Sequence, residues 1–198
     1  MIRDARPADC EALARLHMTS LRSSLLGALG HDALVRYYAF AQQSPLERVL
    51  VAEEDGRVVG GSVVSDEPQT VFDRFARYAP LKLARDLFVQ TLRSANIRRR
   101  IAHRFLHPPS PSAGPYAPEL TQIFTDEMLR GRGIGAQLLR ACEEALRTRN
   151  VRAYFVHTHR DDNAAGTAFY RREGFATISE GRSFGDVFLL MQKDLGGD

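Results

Sequence analysis

The chain is poor in cysteine and has no long apolar run. Its 198 residues include only Cys10 and Cys142, too few for a disulfide framework and typical of a reducing compartment. No apolar stretch approaches the roughly 20 residues that span a bilayer. The opening segment, MIRDARPADCEAL, carries charges where a secretory signal needs an apolar core. We therefore expect a cytoplasmic protein with no membrane partner.

The composition suits one folded domain. Hydrophobic residues make up 44% of the chain and charged residues 26%, as in soluble globular proteins, and the length is enough for one core. The net charge of +3 is unevenly distributed, because residues 67–118 hold nine Lys and Arg against three Asp and Glu. We expect a single domain over residues 1–198, with a helical and proline-rich insertion at about 67–118.

Local patterns predict alternating helices and strands. The segment MIRDARPADCEALARLHMTSLRSSLL reads as a short strand and then one helix, with Asp9 as a candidate cap. RVLVAEEDGRVVGGSVVS predicts a hairpin that turns at Asp55-Gly56. Further helices are predicted in HDALVRYYAFAQQ, AQLLRACEEALRTRN and NAAGTAFYRREG, and further strands in ELTQIFT, VRAYFVHTH and DVFLLMQKDL. The fold class expected from these elements is α/β.

A glycine cluster, LRGRGIGA at residues 129–136, lies between a predicted strand and a predicted helix. The first N–H groups of a helix lack partners within the helix, and the helix dipole adds partial positive charge there. Phosphate is the usual ligand of such a place, and Arg130 and Arg132 can add charge-assisted contacts. The spacing matches neither a P-loop nor a dinucleotide fingerprint. The segment therefore predicts a phosphate cradle of another kind.

Two motifs carry a family resemblance. RGRGIG, residues 130–135, resembles the [QR]-x-x-G-x-[GA] acyl-CoA signature of the GNAT N-acyltransferase superfamily. NAAGTAFYRREGF, residues 163–175, resembles the later N-x-x-A-x-x-x-Y-x-x-x-G-F motif. The order of elements agrees over nearly the whole chain except residues 67–118. The resemblance implies a mixed, mostly antiparallel central sheet flanked by helices, and acetyl-CoA as co-substrate.

The resemblance further implies transfer of acetyl to a primary amine by direct attack. The pantetheine arm would pair with the edge of the ELTQIFT strand, and the pyrophosphate would lie on the glycine cluster. Asn163 would cap its helix and touch the pantetheine. The residues so assigned to acetyl-CoA are Ile123, Phe124, Thr125, Arg130, Gly131, Arg132, Gly133, Ile134, Gly135, Ala136 and Asn163.

The family pattern gives Tyr170 as the proton donor to the departing thiolate and Glu119 as a candidate general base. An aromatic core residue and a solvated carboxylate are the alternatives. His157 and His159 share one face of their strand, so either of them, or a water molecule, remains open as the base. A metal would need further ligands, and we expect none. Cys142 lies on the apolar side of its helix, which argues against an acyl-cysteine route.

Two other classes remain as alternatives. A catalytically silent acyl-CoA sensor would keep the cradle, although Tyr170 argues against it. A nucleic-acid-binding module would use the basic segment RSANIRRRIAHRF, residues 93–105, but a solvated helix face is commoner and no recognised nucleic-acid motif is present. The favoured partner is a small-molecule amine such as an amino sugar, and a homodimer is left open.

Overall fold

The computed structural model describes residues 1–21, 24–93, 118–160, 163–183 and 186–196. Within them, short 3₁₀ turns at Pro7–Asp9 and Glu127–Leu129 accompany the regular elements. The strands are β1 (Ile2–Asp4), β2 (Glu47–Glu54), β3 (Arg57–Ser65), β4 (Glu119–Thr125), β5 (Ala153–His159), β6 (Ala176–Ser183) and β7 (Asp186–Asp194). The helices are α1 (Cys10–Ser20), α2 (Leu25–Ala28), α3 (His31–Gln43), α4 (Val71–Tyr78), α5 (Pro80–Arg93), α6 (Ile134–Arg147) and α7 (Ala164–Arg172).

All seven strands form one sheet in the order β1-β2-β3-β4-β5-β7-β6. Every neighbouring pair is antiparallel except β4 and β5, which run parallel. That pair is in register only at Glu119 and Phe155, so the two strands diverge towards their carboxyl ends. The expected fold class, a mixed and mostly antiparallel sheet flanked by helices, is confirmed.

The sheet buries both faces because side chains alternate along each strand. On β2, Val49 and Val51 join one core cluster, which α1, α3 and α4 cover, while Leu50 and Ala52 join the other, which α6 and α7 cover. A β-bulge shifts the register of β3 against β4 between Val63 and Val64. A residue's face therefore decides which layer of helices it meets.

The first part of the segment 67–118 forms two helices, α4 and α5, and both contribute to the core. Pro80 begins α5, consistent with proline's preference for the first helical position. Phe75 of α4 is fully buried and Leu83 of α5 is 3% exposed, both within the cluster around α3. Residues 94–117, with the proline-rich connection and the basic cluster at 98–104, lie outside the described residues.

Three local predictions were wrong. The N-terminal helix ends at Ser20, and α2 forms separately at Leu25–Ala28. Asp9 makes no side-chain cap on α1; its carboxylate accepts from the amide of Arg6 at 2.6 Å and pairs with Arg3 at 2.7 Å. The predicted elements also lacked β6. None of the described helices has the length and apolar character needed to cross a bilayer.

Candidate active site

The divergence of β4 from β5 opens a cleft in the middle of the sheet. At its closed end the amide of Phe155 donates to the carbonyl of Pro118 at 3.0 Å. Further along, the amide of Asp126 donates to Val59 of β3 at 2.8 Å. Main-chain groups alternate direction along a strand, so those of Ile123 and Thr125 are directed away from β3, towards the cleft.

Two residues near this edge also contact the layer of helices on one face of the sheet. The carbonyl of Thr125 accepts a hydrogen bond from Ser20 Oγ at 2.9 Å, which ties the end of α1 to β4. The side chain of Phe124 is 5% exposed and belongs to the cluster under α1 and α3. Its main chain is directed to β3, so among the three predicted strand residues the open edge is formed by Ile123 and Thr125.

The glycine cluster forms the predicted junction between strand and helix. Gly131 and Gly133 have φ values of 81° and 78°, a left-handed conformation that favours glycine. Gly133 precedes α6, and the first helical bond runs from Gln137 to the Gly133 carbonyl at 3.0 Å. The amides of residues 134–136 thus have no partner within the helix. They form a donor set suited to a phosphate.

The reason for glycine differs along this cluster. A Cβ at Gly131 or Gly133 would meet nothing within 4 Å, whereas one at Gly135 would make ordinary contact with the Phe169 ring at 3.6 Å. Backbone conformation therefore accounts for the first two glycines. Ile134 turns its side chain into the core, at 4% exposure, so it can serve a ligand only through its amide, while Ala136 is half-buried beside it.

The two arginines of the glycine cluster each form a surface ion pair with a glutamate. Arg130 lies 3.4 Å from Glu127, and Arg132 lies 3.3 Å from Glu54. Both arginine side chains are more than half exposed. Such surface pairs contribute at most about 1 kcal/mol, so either guanidinium can exchange its carboxylate for a phosphate at small cost.

At the closed end of the cleft, Glu119 contacts His157. Glu119 Oε1 lies 3.1 Å from His157 Nδ1, with the carboxylate side chain mostly buried and the imidazole 45% exposed. The hydrogen bond to Glu119 raises the pKa of His157 and outweighs the opposing effect of burial. The structure thus brings together two of the predicted base candidates.

Tyr170 lies in the core cluster next to this end of the cleft. Its ring packs 5.4 Å from the rings of Phe169 and Phe175, and the residue is 7% exposed. Burial and, secondarily, the charge of Glu119 raise the pKa of Tyr170 well above its ordinary value. The phenol is therefore protonated at neutral pH and lies within electrostatic range of Glu119.

Asn163 and His159 lie where α7 meets β5. Asn163 caps α7 by accepting from the amide of Gly166 at 3.2 Å, and its Nδ2 donates to Thr158 at 3.0 Å. The His159 ring packs 4.1 Å from Phe188, and its Nδ1 is buried with no hydrogen-bond partner among the described residues. His159 makes no described contact with Glu119.

Cys142 is poorly suited to covalent chemistry. It is 2% exposed, with Sγ 3.3 Å from Ser62 Oγ, and burial raises its pKa to about 11. A buried neutral thiol is a weak nucleophile. In the part of the chain that the structure describes, no group of three or more His, Cys, Asp or Glu could hold a metal ion.

A buried hydrogen-bond chain beside the cleft was not predicted. Ser24 Oγ lies 2.6 Å from His17 Nε2, and His17 Nδ1 lies 2.8 Å from the Tyr38 hydroxyl. Tyr38 donates to Gln122 of β4 at 2.7 Å. The sequence places His17 on the apolar face of α1. A polar residue on such a face is the one signal that could have indicated a buried hydrogen-bond network here. This series of hydrogen bonds joins α1, α2 and α3 to β4, the strand that lines the cleft.

Comparison with known proteins shows the family and the fold of this chain. The model of the acetyltransferase (GNAT) family matches residues 14–175, while no curated protein sequence matches the chain. Ribosomal-protein-alanine N-acetyltransferase from Brucella melitensis is a similar solved structure, with 22% identity, 98% of this chain and 99% of that chain covered, and a TM-score of 0.62.

Two further similar structures contain coenzyme A or acetyl-CoA. PaiA N-acetyltransferase from Thermoplasma acidophilum, in complex with coenzyme A, is 15% identical over 98% of both chains, with a TM-score of 0.61. YncA from Salmonella typhimurium, with acetyl-CoA, is 18% identical over 100% of this chain and 95% of that chain, with a TM-score of 0.60. At these identities they show the shared fold. The family match over most of the chain identifies this protein as a member of the GNAT acetyltransferase family.

Proposed function

We propose that this protein transfers the acetyl group of acetyl-CoA to a primary amine of a small molecule, by direct attack within a ternary complex. The observation that carries this proposal is the cleft between β4 and β5, which has an open strand edge on one side and the amino end of α6 beyond it. A flexible amide chain ending in a pyrophosphate is the kind of ligand that uses both features.

The residues around the cleft fit acetyl-CoA. The main-chain groups of Ile123 and Thr125 would pair with the pantetheine amides in the manner of an added strand. The amides of residues 134–136 would hold the pyrophosphate, with Arg130 and Arg132 supplying positive charge. Asn163 would serve mainly as the cap that fixes α7, and hence Tyr170, against β5.

Acetyl-CoA supplies an acetyl group already activated as a thioester. At the closed end of the cleft, Tyr170 would donate a proton to the sulfur as it departs. The Glu119–His157 pair would accept the proton that the amine loses. The protein's own side chains would therefore both donate and accept the protons. Burial keeps Tyr170 protonated, and Glu119 and His157 are in contact with each other.

Leu120 and Val156 belong to the cluster under α6 and α7, so alternation places their neighbours Glu119 and His157 on the opposite face of the sheet. The acceptor would approach from that face, which α1 and α3 cover. A small amine such as an amino sugar is the favoured class. Its entry would pass the end of α1, which Ser20 fixes to β4. A catalytically silent sensor would need the same acetyl-CoA contacts but not a protonated phenol beside a carboxylate–imidazole pair.

Two measurements test the proposal. Thermal unfolding should shift upward with acetyl-CoA, because a ligand that binds only the native state stabilises it. A panel of amino sugars, polyamines, amino acids and peptide N-termini should then reveal at least one amine that releases CoA. No shift at millimolar acetyl-CoA would contradict the cleft assignment, and binding with no acetylated amine would favour the sensor.

A further inference from the structure

Glu119 and His157 come from two strands that touch at a single register position. Glu119 begins β4 and is paired with Phe155 of β5, and His157 lies two residues further along β5, at the start of the divergence. The contact joins Oε1 of the carboxylate to Nδ1 of the imidazole. It therefore lies at the vertex of the cleft, where the thioester end of the pantetheine would reach under the proposed function.

The contact leaves the other ring nitrogen available. A carboxylate accepts only, so Nδ1 must carry the hydrogen that it donates to Glu119. In the neutral imidazole, Nε2 then holds the lone pair. The His157 side chain is 45% exposed, whereas that of Glu119 is 13% exposed. Of the two groups, the imidazole is the better placed to meet a substrate.

The charged groups around His157 are few in the described parts of the chain. On β4 it faces Glu119, and on its own strand His159 lies two residues away on the same face. Its partner on β7, Leu190, and the next residue across on β6, Ser179, carry no charge. From α7 the neutral phenol of Tyr170 lies within electrostatic range of Glu119.

We propose that His157 Nε2 is the general base of the acetyl transfer and that Glu119 is a positioning residue, which fixes the Nδ1–H tautomer and the orientation of the ring. This assignment rests on the proposed function. The amine nitrogen bonds to the carbonyl carbon and the carbon–sulfur bond breaks. His157 takes the proton released by nitrogen, and Tyr170 gives one to the thiolate. Afterwards His157 loses its proton to solvent and Tyr170 takes one up, which restores the starting state.

The proposal has a definite pH dependence. His157 must be neutral to act, so the rate rises with pH through the pKa of its imidazole. Glu119 raises that pKa above its ordinary value. Glu119→Gln keeps an acceptor for Nδ1–H but removes the charge, so it should move the rise to lower pH. Deprotonation of the amine itself also gives a rise, but one that does not move between variants.

The first experiment is an NMR titration of the histidines in the free protein, with the His157 signal assigned from His157→Gln. We expect the His157 pKa to lie above the ordinary histidine value in the wild type and to be lower in Glu119→Gln. An unchanged value would overturn the inference. This readout needs no acetylated substrate.

The second experiment is the pH profile of kcat/KM with an amine from the panel. We expect His157→Gln to lose at least about 100-fold in kcat, and Glu119→Gln to keep most of its rate at high pH with the rise displaced to lower pH. Glu119→Ala should lose more than Glu119→Gln, because the ring loses its acceptor. His159→Gln serves as the matched histidine control and should keep the position of the rise.

The outcomes distinguish failure of the base assignment alone from failure of the proposed function. Normal kcat in His157→Gln together with an inactive Glu119→Gln would make Glu119 the base and overturn this inference alone. A rise displaced by His159→Gln instead would also overturn it. Acetyl-CoA binding with no acetylation of any amine would overturn the proposed function and this inference together.

Discussion

Arg74 of α4 holds the carboxylate of Glu47 on β2 through two hydrogen bonds, of 2.6 and 2.5 Å. The Glu47 side chain is fully buried, and Ser65 also donates to it at 2.8 Å. Burial raises the pKa of Glu47, but these hydrogen bonds, led by that of Arg74, leave it lowered. Helix α4 is thus attached to the sheet by an ion pair as well as by the packing of Phe75.

Replacing Arg74 with Met should lower the free energy of unfolding by about 3–5 kcal/mol, because a buried carboxylate loses its partner. The double variant Arg74→Met/Glu47→Gln should recover part of that loss. Arg48→Met is the matched control, since Arg48 pairs with Asp4 on the surface and should cost under about 1 kcal/mol. Urea unfolding followed by circular dichroism checks all three, and equal losses in the two single variants would contradict the argument.

His17 should make the fold sensitive to mild acid. Burial lowers its pKa to about 4, against a smaller opposing effect of Gln122. The unfolded chain takes up the proton near pH 6.5 while the folded chain does not, so stability falls as pH drops through this window. Between pH 7 and pH 5 the loss should be about 2 kcal/mol.

Comparing urea unfolding of the wild type and His17→Gln at pH 7 and pH 5 measures this effect. The variant should start less stable but lose about 2 kcal/mol less on acidification. His31→Gln removes a half-exposed histidine and should behave like the wild type. A His17 variant with the same acid sensitivity as the wild type would refute the assignment.

Tyr170→Phe should reduce kcat about 100-fold with nearly unchanged acetyl-CoA affinity. The ring would still pack against Phe169 and Phe175, so the fold should persist, while the proton donor would be lost. Because burial raises the pKa of Tyr170, ionisation of this phenol should not appear in the wild-type profile even near pH 10, where an ordinary tyrosine titrates. Equal turnover in the two proteins would remove Tyr170 from the mechanism.

Gly133→Ala should weaken acetyl-CoA binding at least about tenfold, since a left-handed alanine costs roughly 1–2 kcal/mol and favours a different path of the backbone. Gly56→Ala is a close control: it has a similar φ of 72° and also open space around a new Cβ. Both variants should lose similar stability, but only Gly133→Ala should lose affinity by calorimetry. Equal affinities would show that the cradle does not depend on this conformation.

Features with short-range causes could be predicted from the sequence. Asp55 and Gly56 both have positive φ, as the expected turn requires, and the glycine cluster lies between strand and helix as predicted. β6 carried no such signal. Its segment, ATISEGRS, lacks a regular apolar alternation and becomes a strand through its pairing with β7.

The Glu119–His157 contact could not be predicted for a different reason. Each residue was a candidate base by itself, but the contact depends on the parallel register of β4 and β5. The same holds for Arg74 and Glu47, whose helix and strand lie far apart along the chain. Local patterns predict elements, whereas such pairs depend on how the elements pack.

The divergence of β4 and β5 gives this sheet two edges in its interior. Past Glu119 the two halves of the sheet are joined by packed side chains and not by a described ladder of main-chain bonds. Amides on these inner edges, such as those of Ile123 and Thr125, should exchange with deuterium faster than amides paired within β2 and β3. A ligand that bridges the two inner edges would slow this exchange. With the ligand bound, the two halves of the sheet would unfold as one unit.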